Sequence, residues 1–251
     1  MTDRLAGKRI IVIGSATGIG AATVRRLVAE GARVCAADIN IDRAEAVARE
    51  VGQACFALPI DIADEASVKT AVDAAVARLG GLDGAHVNAA DMRQLAHDST
   101  VLDVELAVFD RTLAVNLRGH VLCTRAVLPH LLASGDGAIV YTSSDAADWG
   151  EPVRPCYAMA KSGLNALMRH VAAAYGKQGI TANCLAPGFT VTPEMAAHGI
   201  TQQTMDHFIG LGHSPRVGEA EDQSAMVAHL LSRDGRWING QVFHVNGGQM
   251  L

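Results

Sequence analysis

Short apolar runs alternate with longer amphipathic stretches along the whole chain, and this alternation limits the folds that are open to it. Several of the runs are apolar throughout, which is typical of strands in a parallel sheet that is covered on both faces. A strand–helix unit that repeats about six times predicts a doubly wound α/β sheet of about seven parallel strands flanked by helices. The predicted strands are Arg9–Ile13, Arg33–Ala37, Ala54–Leu58, Gly84–Asn88, Ala138–Thr142, Thr181–Leu185 and Gln241–Val245.

The stretches between these strands have the residue spacing of helices. In Ile19–Glu30 the apolar side chains recur every three or four positions, and Gly31 follows where the helix would stop. Asp64–Leu79 begins with a residue type that commonly caps helices and ends at a pair of glycines. The sequence contains neither a linker nor an internal repeat, so we expect one domain over residues 1–251.

The composition supports a buried core and excludes several classes of protein. Of the 251 residues, 49% are hydrophobic and 19% are charged, which is incompatible with a disordered or fibrous chain. A net charge of −5 without any block of Lys or Arg argues against a nucleic-acid partner. The five cysteines are scattered and form no Cys-x-x-Cys pair, which predicts neither disulfides nor a zinc site. This pattern fits a reducing compartment such as the cytoplasm.

The sequence also argues against a membrane protein. No apolar stretch reaches the roughly 18 to 20 residues that are needed to cross a bilayer. The run Ile10–Ile13 follows basic residues, but it is shorter than the roughly 7 to 15 apolar residues of a signal peptide. We therefore expect a soluble, unprocessed protein of the cytoplasm.

A glycine-rich turn, Gly14-Ser-Ala-Thr-Gly18-Ile-Gly20, lies between the first predicted strand and the first predicted helix. Glycines at such a turn let the backbone approach a pyrophosphate, and the helix N-terminus offers unpaired N–H groups to the phosphates. A plain tight turn would have the same residues, but the position after the first strand favours a dinucleotide-binding loop.

Two acidic residues follow the next two predicted strands. Asp38, at the end of the second strand, could accept hydrogen bonds from both hydroxyls of an adenosine ribose, or it could cap the following helix. Asp61, after the third strand, could accept a hydrogen bond from an adenine amino group. Because Asp61 is close to Asp64, it could equally cap the next helix.

Tyr157 and Lys161 are four residues apart, which would place both side chains on one face of a helix. The pKa of tyrosine is near ~10, and a nearby ammonium lowers it towards the range that is useful for proton transfer. The pair Ser143-Ser144 ends the fifth predicted strand, and a hydroxyl there could bind the same substrate oxygen as the phenol. Alternatively, these serines only form a turn.

Over nearly its whole length, the sequence resembles the short-chain dehydrogenase/reductase family. The residues above match the family pattern in order and spacing. Further matches are Asn88, Asn116, Pro187-Gly188, Thr192 and Gly240–Gly248. The resemblance implies one Rossmann domain, an oxidoreductase that uses a nicotinamide cofactor on a small alcohol or ketone, and assembly as a homotetramer.

The resemblance also implies a role for each matching residue. Tyr157 would be the general acid/base, Lys161 would lower its pKa and hold the nicotinamide ribose, and Ser144 would polarise the substrate oxygen. Asn116 would anchor a water molecule in a proton relay from Lys161. The implied cofactor-binding residues are Gly14, Thr17, Gly18, Ile19, Gly20, Asp38, Asp61, Ile62, Asn88, Tyr157, Lys161, Pro187, Gly188, Thr190 and Thr192.

The chain departs from the usual family pattern at two places. Ile13 stands where a threonine is usual, and Asn88-Ala89-Ala90-Asp91 stands where Asn-Asn-Ala-Gly is usual. The usual threonine is tied to the second asparagine; here both positions are apolar, and losing both partners of a hydrogen bond can be nearly neutral. Asp91 would place a carboxylate close to a bound cofactor, where it would either turn outward or weaken binding.

Residues 189–213 correspond to the mobile lid over the substrate in this family. Their apolar side chains favour a hydrophobic or cyclic alcohol as substrate. Arg93 and Arg154 flank the presumed pocket, where each could bind a substrate carboxylate or lie in solvent as an ordinary surface residue. The lid histidines lack the helical spacing of a metal pair; they are His198, His207 and His213.

The sequence supports three functions to different degrees. The leading hypothesis is an NAD-dependent oxidoreductase that interconverts a secondary alcohol and a ketone, without a metal. The first alternative is an NADPH-dependent 3-oxoacyl carrier-protein reductase, against which Asp38 argues because the chain has no basic residue at Ser15 or Ala16. The second is a non-catalytic dinucleotide sensor, which Asp91 suggests and the intact acid/base set opposes.

Overall fold

A central sheet of seven parallel strands dominates the structure, a computed structural model that describes residues 3–197 and 199–249. The strands are β1 (Arg9–Ile13), β2 (Arg33–Asp38), β3 (Cys55–Pro59), β4 (Gly84–Val87), β5 (Gly137–Thr142), β6 (Ile180–Pro187), β7 (Thr190–Val191), β8 (Gly218–Glu219) and β9 (Val242–Val245). The sheet order is β3-β2-β1-β4-β5-β6-β9. The predicted α/β fold class is confirmed, and each predicted strand is present within two residues of its expected ends. The two-residue pair β7 and β8 was not predicted.

Helices connect the strands and cover both faces of the sheet. They are α1 (Gly18–Ala29), α2 (Ile41–Val51), α3 (Glu65–Leu79), α4 (Leu106–Leu113), α5 (Gly119–Ser134), α6 (Pro155–Tyr175), α7 (Pro193–Ala197), α8 (Gln202–Leu211) and α9 (Ala220–Leu231). A π-helical turn, Ala114–Arg118, joins α4 to α5. At the start of α3, the Asp64 side chain accepts a hydrogen bond from the N–H of Ala66, as the sequence predicts.

The apolar runs form strands because both faces of the sheet are buried. Alternate side chains of a strand point to opposite faces. In β1, Ile11 and Ile13 join one core cluster, which α3, α5 and α6 complete, while Ile10 and Val12 join a second cluster beneath α1 and α9. A strand that is buried on both faces exposes no side chain to solvent, which favours an uninterrupted apolar run.

The strand order reverses beside β1, whose two neighbours are β2 and β4. At such a switch point the loops that follow the strands separate and leave a crevice at the carboxyl edge of the sheet. All strands are parallel, so the residues that follow β1, β2, β4, β5 and β6 meet at this one edge. Most candidate site residues of the sequence follow strands at this edge, whereas Asn116, Tyr157 and Lys161 lie in helical segments. Among the described helices, none is long and apolar enough to span a membrane.

Candidate active site

The glycine-rich turn after β1 has a backbone that only glycine accommodates at two positions. Gly14 has a φ of 87°, and a Cβ there would lie 2.5 Å from the backbone nitrogen of Ala89. At Gly20 a Cβ would overlap the carbonyl group of Gly14. The turn therefore packs directly on the segment after β4.

The N-terminus of α1 has the features that a pyrophosphate needs. Thr17 is the N-cap residue, but its side chain makes no capping hydrogen bond, and the first turn of the helix carries no acidic residue. The first N–H groups of a helix lack partners within the helix, and the helix dipole is positive at this end. Gly18 and Ile19 open the helix, so their backbone faces this anion-binding position. The residues present fit a dinucleotide.

Asp38 ends β2 beside this turn. Its carboxylate accepts hydrogen bonds from the N–H of Ala16 at 2.9 Å and from the N–H of Asn40 at 2.9 Å. The cap of α2 is Asn40, whose side chain accepts from Arg43, so Asp38 does not cap that helix. Two backbone donors hold the Asp38 carboxylate against the glycine-rich turn and fix where its negative charge lies.

Asp61 and Ile62 follow β3. The Asp61 carboxylate accepts a hydrogen bond from the N–H of Ala63 at 2.9 Å, while Asp64 caps α3, so the alternative role of Asp61 as the helix cap is wrong. Ile62 is 5% exposed and packs in the core against Gly119. Its side chain therefore serves packing.

The segment after β4 is joined to β1 through backbone groups. The N–H groups of Asn88 and Ala89 both donate to the carbonyl of Ile13, at 2.8 and 2.9 Å. The Asn88 amide donates to the carbonyl of Gly14 at 2.8 Å. The departure from the family pattern at Ile13 and Ala89 therefore leaves β1 and β4 well connected.

Asp91 is held by two arginines. Its carboxylate accepts hydrogen bonds from Arg93 at 2.9 and 3.0 Å and from Arg111 at 3.0 Å. The hydrogen bond from Arg93 lowers the pKa of Asp91, and Arg111 acts in the same direction although burial opposes both. Its charge is compensated by these pairs, and Arg93 is committed to Asp91.

Asn116 lies in the π-helical turn between α4 and α5. Its Oδ1 accepts a hydrogen bond from the N–H of Asp91 at 2.7 Å, while its buried Nδ2 has no partner in the structure. π-helical turns often occur at functional sites, because they break the regular backbone pairing of a helix. A buried amide without a protein partner is satisfied in most proteins by a water molecule, which fits the predicted role of Asn116.

Ser144 and Tyr157 lie together at the end of β5 and in the first turn of α6. The Ser144 hydroxyl lies near enough to the phenol to lower its pKa, and Tyr157 is 9% exposed. Burial has the largest influence on the pKa of Tyr157 and raises it, whereas the Ser144 hydroxyl and the charge of Arg154 lower it. Ser144 also accepts from the N–H of Ala146 at 3.2 Å, so the alternative of turn formation is present beside the proximity to Tyr157.

Lys161 is buried one turn further along α6. Its Nζ donates to the carbonyl of Thr142 at 2.7 Å and lies 5.6 Å from the centre of the Tyr157 ring. Burial lowers the pKa of Lys161 to about 8. The main influences on the pKa of Tyr157 do not include Lys161, so the effect of Lys161 on this pKa stays a prediction.

Asp98 contacts α6, the helix that carries Tyr157 and Lys161, although no sequence motif assigns Asp98 a role. It is 3% exposed, and its carboxylate accepts from the N–H of Cys156 at 3.2 Å and of Tyr157 at 2.8 Å. Arg154, the N-cap position of α6, makes no side-chain capping bond, so Asp98 caps this helix from a distant loop. No local sequence signal joins two residues that are 59 positions apart.

The segment after β6 closes the opposite side of the crevice. Pro187 ends β6, and Thr190 donates through its hydroxyl to the carbonyl of Gly188 at 3.1 Å. A Cβ at Gly18 would lie 2.9 Å from the Cγ2 of Thr192. The loop that carries Thr192 therefore lies against the start of α1, so a ligand at the glycine-rich turn would also meet this loop.

The predicted lid consists of β7, α7 and α8. Phe189 stacks on Phe208 with ring centres 3.7 Å apart, which joins the start of the lid to α8. The two arginines that were predicted to flank the pocket are both paired with acidic residues. Arg93 pairs with Asp91 and has an 80% exposed side chain, and Arg154 pairs with Glu151 at 2.6 Å. The described residues contain no cluster that could hold a metal ion, and His198 lies outside them.

The family comparison matches almost the whole chain. The family described as Enoyl-(Acyl carrier protein) reductase matches residues 14–250. A protein of Bradyrhizobium diazoefficiens named "Probable short-chain type dehydrogenase/reductase" is 39% identical, and the match covers 98% of this chain and 89% of the relative. The 2,5-dichloro-2,5-cyclohexadiene-1,4-diol dehydrogenase of Sphingobium indicum is 37% identical, with 99% and 98% covered. The levodione reductase of Leifsonia aquatica is 33% identical, with 99% and 96% covered.

Solved structures have the same fold. A short-chain dehydrogenase of Burkholderia cenocepacia in complex with NADP has a TM-score of 0.88 and 34% identity, with 98% of this chain and 99% of that chain covered. A Brucella melitensis protein named ribose-5-phosphate isomerase has a TM-score of 0.90 and 29% identity, with 99% and 94% covered. Proteins that share this fold therefore carry the names of different reactions. The fold alone does not determine the reaction, which depends on the site residues.

Proposed function

This chain belongs to the short-chain dehydrogenase/reductase family, and on that premise we propose that it is an NAD-dependent oxidoreductase that interconverts a secondary alcohol and a ketone. The single observation that carries the proposal is the group formed by Ser144, Tyr157 and Lys161, in which the buried Lys161 ammonium lies 5.6 Å from the centre of the Tyr157 ring and the Ser144 hydroxyl lies near the phenol. Relatives along the full length are named as dehydrogenases and reductases. The proposal includes assembly as a homotetramer, as the resemblance implies, and location in the cytoplasm, which the cysteine pattern favours. Met250 and Leu251, two apolar residues that we interpret as support for assembly, lie outside the described residues.

The three side chains handle the proton of the reaction. During oxidation Tyr157 accepts the proton of the substrate hydroxyl, and during reduction it returns a proton to the carbonyl oxygen. Ser144 donates a hydrogen bond to the same oxygen and so stabilises the charge that develops there. Lys161 favours the phenolate form of Tyr157 when it is protonated. Asn116, with its free Nδ2, holds a water that exchanges protons with Lys161.

The cofactor would bind along the carboxyl edge of the sheet. The N-terminus of α1 with Gly14, Gly18 and Gly20 would hold the pyrophosphate, and Asp38 the adenosine ribose. Lys161 would hold the other ribose, and the loop that follows Pro187 would orient the carboxamide. The nicotinamide, when bound, supplies the chemistry of hydride transfer.

We propose NAD as the cofactor because of the charge at the adenosine ribose. The Asp38 carboxylate is fixed by the N–H groups of Ala16 and Asn40. A phosphate on the ribose would meet this fixed charge, and the uncharged Ser15, Ala16 and Ile39 offer no compensation. The NADP bound by the Burkholderia cenocepacia relative makes this choice the part of the proposal that most needs a direct test.

The substrate proposal is a secondary alcohol on a ring. Two of the relatives are named for a cyclohexadiene diol and for levodione, and two others for a monocyclic terpene alcohol and a hydroxysteroid. The lid carries several apolar side chains, among them Phe189, Phe208 and Ile209. Flat apolar side chains pack well on the face of a ring.

The two alternatives differ in what speaks for them. The carrier-protein reductase has support from the acyl carrier protein in the description of the matching family, although that description names an enoyl group and not a 3-oxo group, and from the NADP-bound relative. Asp38 speaks against it, because its carboxylate would repel the phosphate of NADP. The sensor was suggested by Asp91, whose charge is compensated by Arg93 and Arg111, so this support for a sensor is removed.

A substrate panel separates the three functions. The purified protein is assayed with cyclic secondary alcohols and diols, with open-chain secondary alcohols of equal carbon number, and with a 3-oxoacyl thioester, each with both cofactors in the matching redox state. We expect NAD-linked turnover that is fastest on the cyclic compounds. Turnover confined to the thioester with NADPH would establish the first alternative. Cofactor binding without turnover of any compound would establish the sensor.

Replacing Lys161 with methionine tests how this residue assists Tyr157. Because burial sets the pKa of Lys161 to about 8, its charge is present below that pH and is lost above it. A lysine cation lowers the pKa of Tyr157, so its removal should shift the pH profile of kcat/KM for alcohol oxidation to higher pH. The rate deficit should be largest below about pH 8 and shrink above it, and the KM for NAD should rise.

The matched control is Lys177→Met, which removes an exposed lysine just after α6. That variant should keep the wild-type pH profile. A Lys161→Met profile that overlies the wild type would mean that Lys161 does not act on the pKa of Tyr157.

A further inference from the structure

His86 is a fully buried histidine that none of the roles above uses. It lies in β4, is 0% exposed, and its Nε2 is 2.8 Å from the hydroxyl oxygen of Thr142 in β5. Its Nδ1 has no partner in the structure. Burial of an imidazole costs desolvation free energy, and an aliphatic side chain of the same size would pack better. The hydrogen bond to Thr142 is therefore what distinguishes His86 from an apolar residue at this position.

The neighbouring groups determine which nitrogen of His86 carries the proton. The Asn88 amide nitrogen donates to the carbonyl of Gly14, so its Oδ1 faces Thr142 and can only accept. Thr142 therefore donates its single hydroxyl proton to the Oδ1 of Asn88, at a distance of 2.9 Å between the two oxygens. Thr142 has no second proton to give, so its contact with His86 requires a proton on Nε2 of the histidine.

The result is a one-way chain of hydrogen bonds across three strands. It runs from His86 through Thr142 and Asn88 to the carbonyl of Gly14, with contacts of 2.8, 2.9 and 2.8 Å. That carbonyl lies so close to Gly20 that a Cβ would overlap it. The chain therefore ends on the glycine-rich turn, and the backbone carbonyl of Thr142 accepts from Lys161 at 2.7 Å.

We propose that His86, as the neutral tautomer protonated at Nε2, is a positioning residue that holds the glycine-rich turn in its dinucleotide-binding geometry through Thr142 and Asn88. It forces the Thr142 hydroxyl to donate to Asn88, which turns the Asn88 amide to Gly14. The backbone carbonyl of Thr142 also accepts a hydrogen bond from Lys161. Thr142 therefore joins the glycine-rich turn to α6, the helix of Tyr157 and Lys161. The hydrogen-bond chain stands by itself, whereas its effect on cofactor binding rests on the proposed function.

The surroundings of His86 keep it neutral. Burial lowers its pKa to about 3. A charge on His86 would also act on His120 of α5, which is likewise fully buried and whose own pKa is lowered to about 3, chiefly by burial. A single tautomer should therefore persist throughout the working pH range.

The first test reads the tautomer directly. Nitrogen-15 NMR of histidine-labelled protein, assigned with His86→Phe or, if that variant does not fold, His86→Gln, should show Nε2 protonated and Nδ1 unprotonated from about pH 5 to 8. A proton on Nδ1, or titration of the ring in this range, would overturn the proposal. This measurement needs no cofactor, so it holds even if the protein binds no nicotinamide dinucleotide, a result that would overturn the proposed function instead.

The second test measures cofactor affinity by titration calorimetry with NAD. His86→Phe keeps a buried ring without a donor and should raise the Kd for NAD about three- to tenfold, the equivalent of one net hydrogen bond. The kcat at saturating NAD should change less than about twofold. His86→Gln, whose amide can donate, should restore the Kd to within about twofold of wild type. His170→Phe, on the exposed side of α6, is the matched control.

A double variant identifies the path of the effect. Thr142→Val removes the next member of the chain, so combining it with His86→Phe should give no further loss of NAD affinity beyond either single variant. Independent, additive losses would overturn the chain as the route. An unchanged Kd in a folded His86→Phe variant, or a His86→Gln variant as weak as His86→Phe, would overturn the proposal as a whole.

Discussion

Tyr157→Phe is expected to lower kcat by about 10²- to 10⁴-fold while the fold and the binding of NAD are retained. The substitution removes the only proton that this side chain can transfer and keeps its ring. Because Tyr157 is only 9% exposed, the retained ring preserves the packing at this position. Ser144 would remain beside the substrate oxygen, but a serine hydroxyl cannot replace a phenol as general acid/base at neutral pH. Steady-state kinetics with the best compound of the panel, together with NAD titration and thermal unfolding, measure the effect.

The chain offers a matched control for this variant. Tyr175 ends the same helix, where it contacts His170 edge to face and is remote in sequence from Ser144. Tyr175→Phe removes an equivalent hydroxyl and should keep nearly wild-type turnover. A Tyr157→Phe enzyme with more than about a tenth of the wild-type rate would contradict the assignment of Tyr157.

The second large effect is a preference for NAD over NADP of about a hundredfold or more in kcat/KM. Two negative groups about 4 Å apart repel by roughly 1 to 4 kcal/mol, depending on the effective dielectric constant. Loss of the charge-assisted hydrogen bonds between Asp38 and the ribose would add about 1.5 to 3 kcal/mol. Because Ala16 and Asn40 hold the carboxylate through their N–H groups, Asp38 cannot turn away without breaking those bonds.

Variants at this position should change the preference in a defined order. Asp38→Ala should reduce the preference for NAD over NADP, mainly by lowering the kcat/KM with NAD. Adding Ile39→Arg should begin to admit NADP, since Ile39 directly follows β2 and is 68% exposed. Asp73→Ala, which removes an equal charge from the exposed face of α3, should leave the preference as it is. Comparable efficiency of the wild type with both cofactors would disprove the assignment of NAD.

The elements that the sequence predicts well are those with a local cause. β1 is recognisable because four consecutive apolar residues can only be buried on both faces of a sheet. The start of α3 is recognisable because Asp64 is a capping residue type directly before a helical pattern. Gly14 is recognisable because it opens a glycine-rich turn directly between a predicted strand and a predicted helix, although its contact with the distant Ala89 is visible only in the structure.

The π-helical turn and the short pair β7 and β8 have no such local cause. Asn116 lies in a π-helical turn between two α-helices, and the sequence around it has no feature that separates this turn from the helices on either side. The pair β7 and β8 is formed by residues 28 positions apart in the sequence. Two residues per strand are too few for an alternating pattern to be visible in the sequence.

The sequence by itself determined the order of strands and helices, the position of the glycine-rich turn and the residue types available for proton transfer. These depend on hydrophobic spacing and on backbone freedom, which act between near neighbours in the chain. Only the tertiary structure decided how the charges and polar groups are paired. Asp91 is compensated by Arg111, Asp98 caps the helix of Tyr157, and His86 reaches Gly14 through Thr142. Such pairings join residues brought together by the sheet, and a local pattern cannot encode which distant partner a buried polar group will meet.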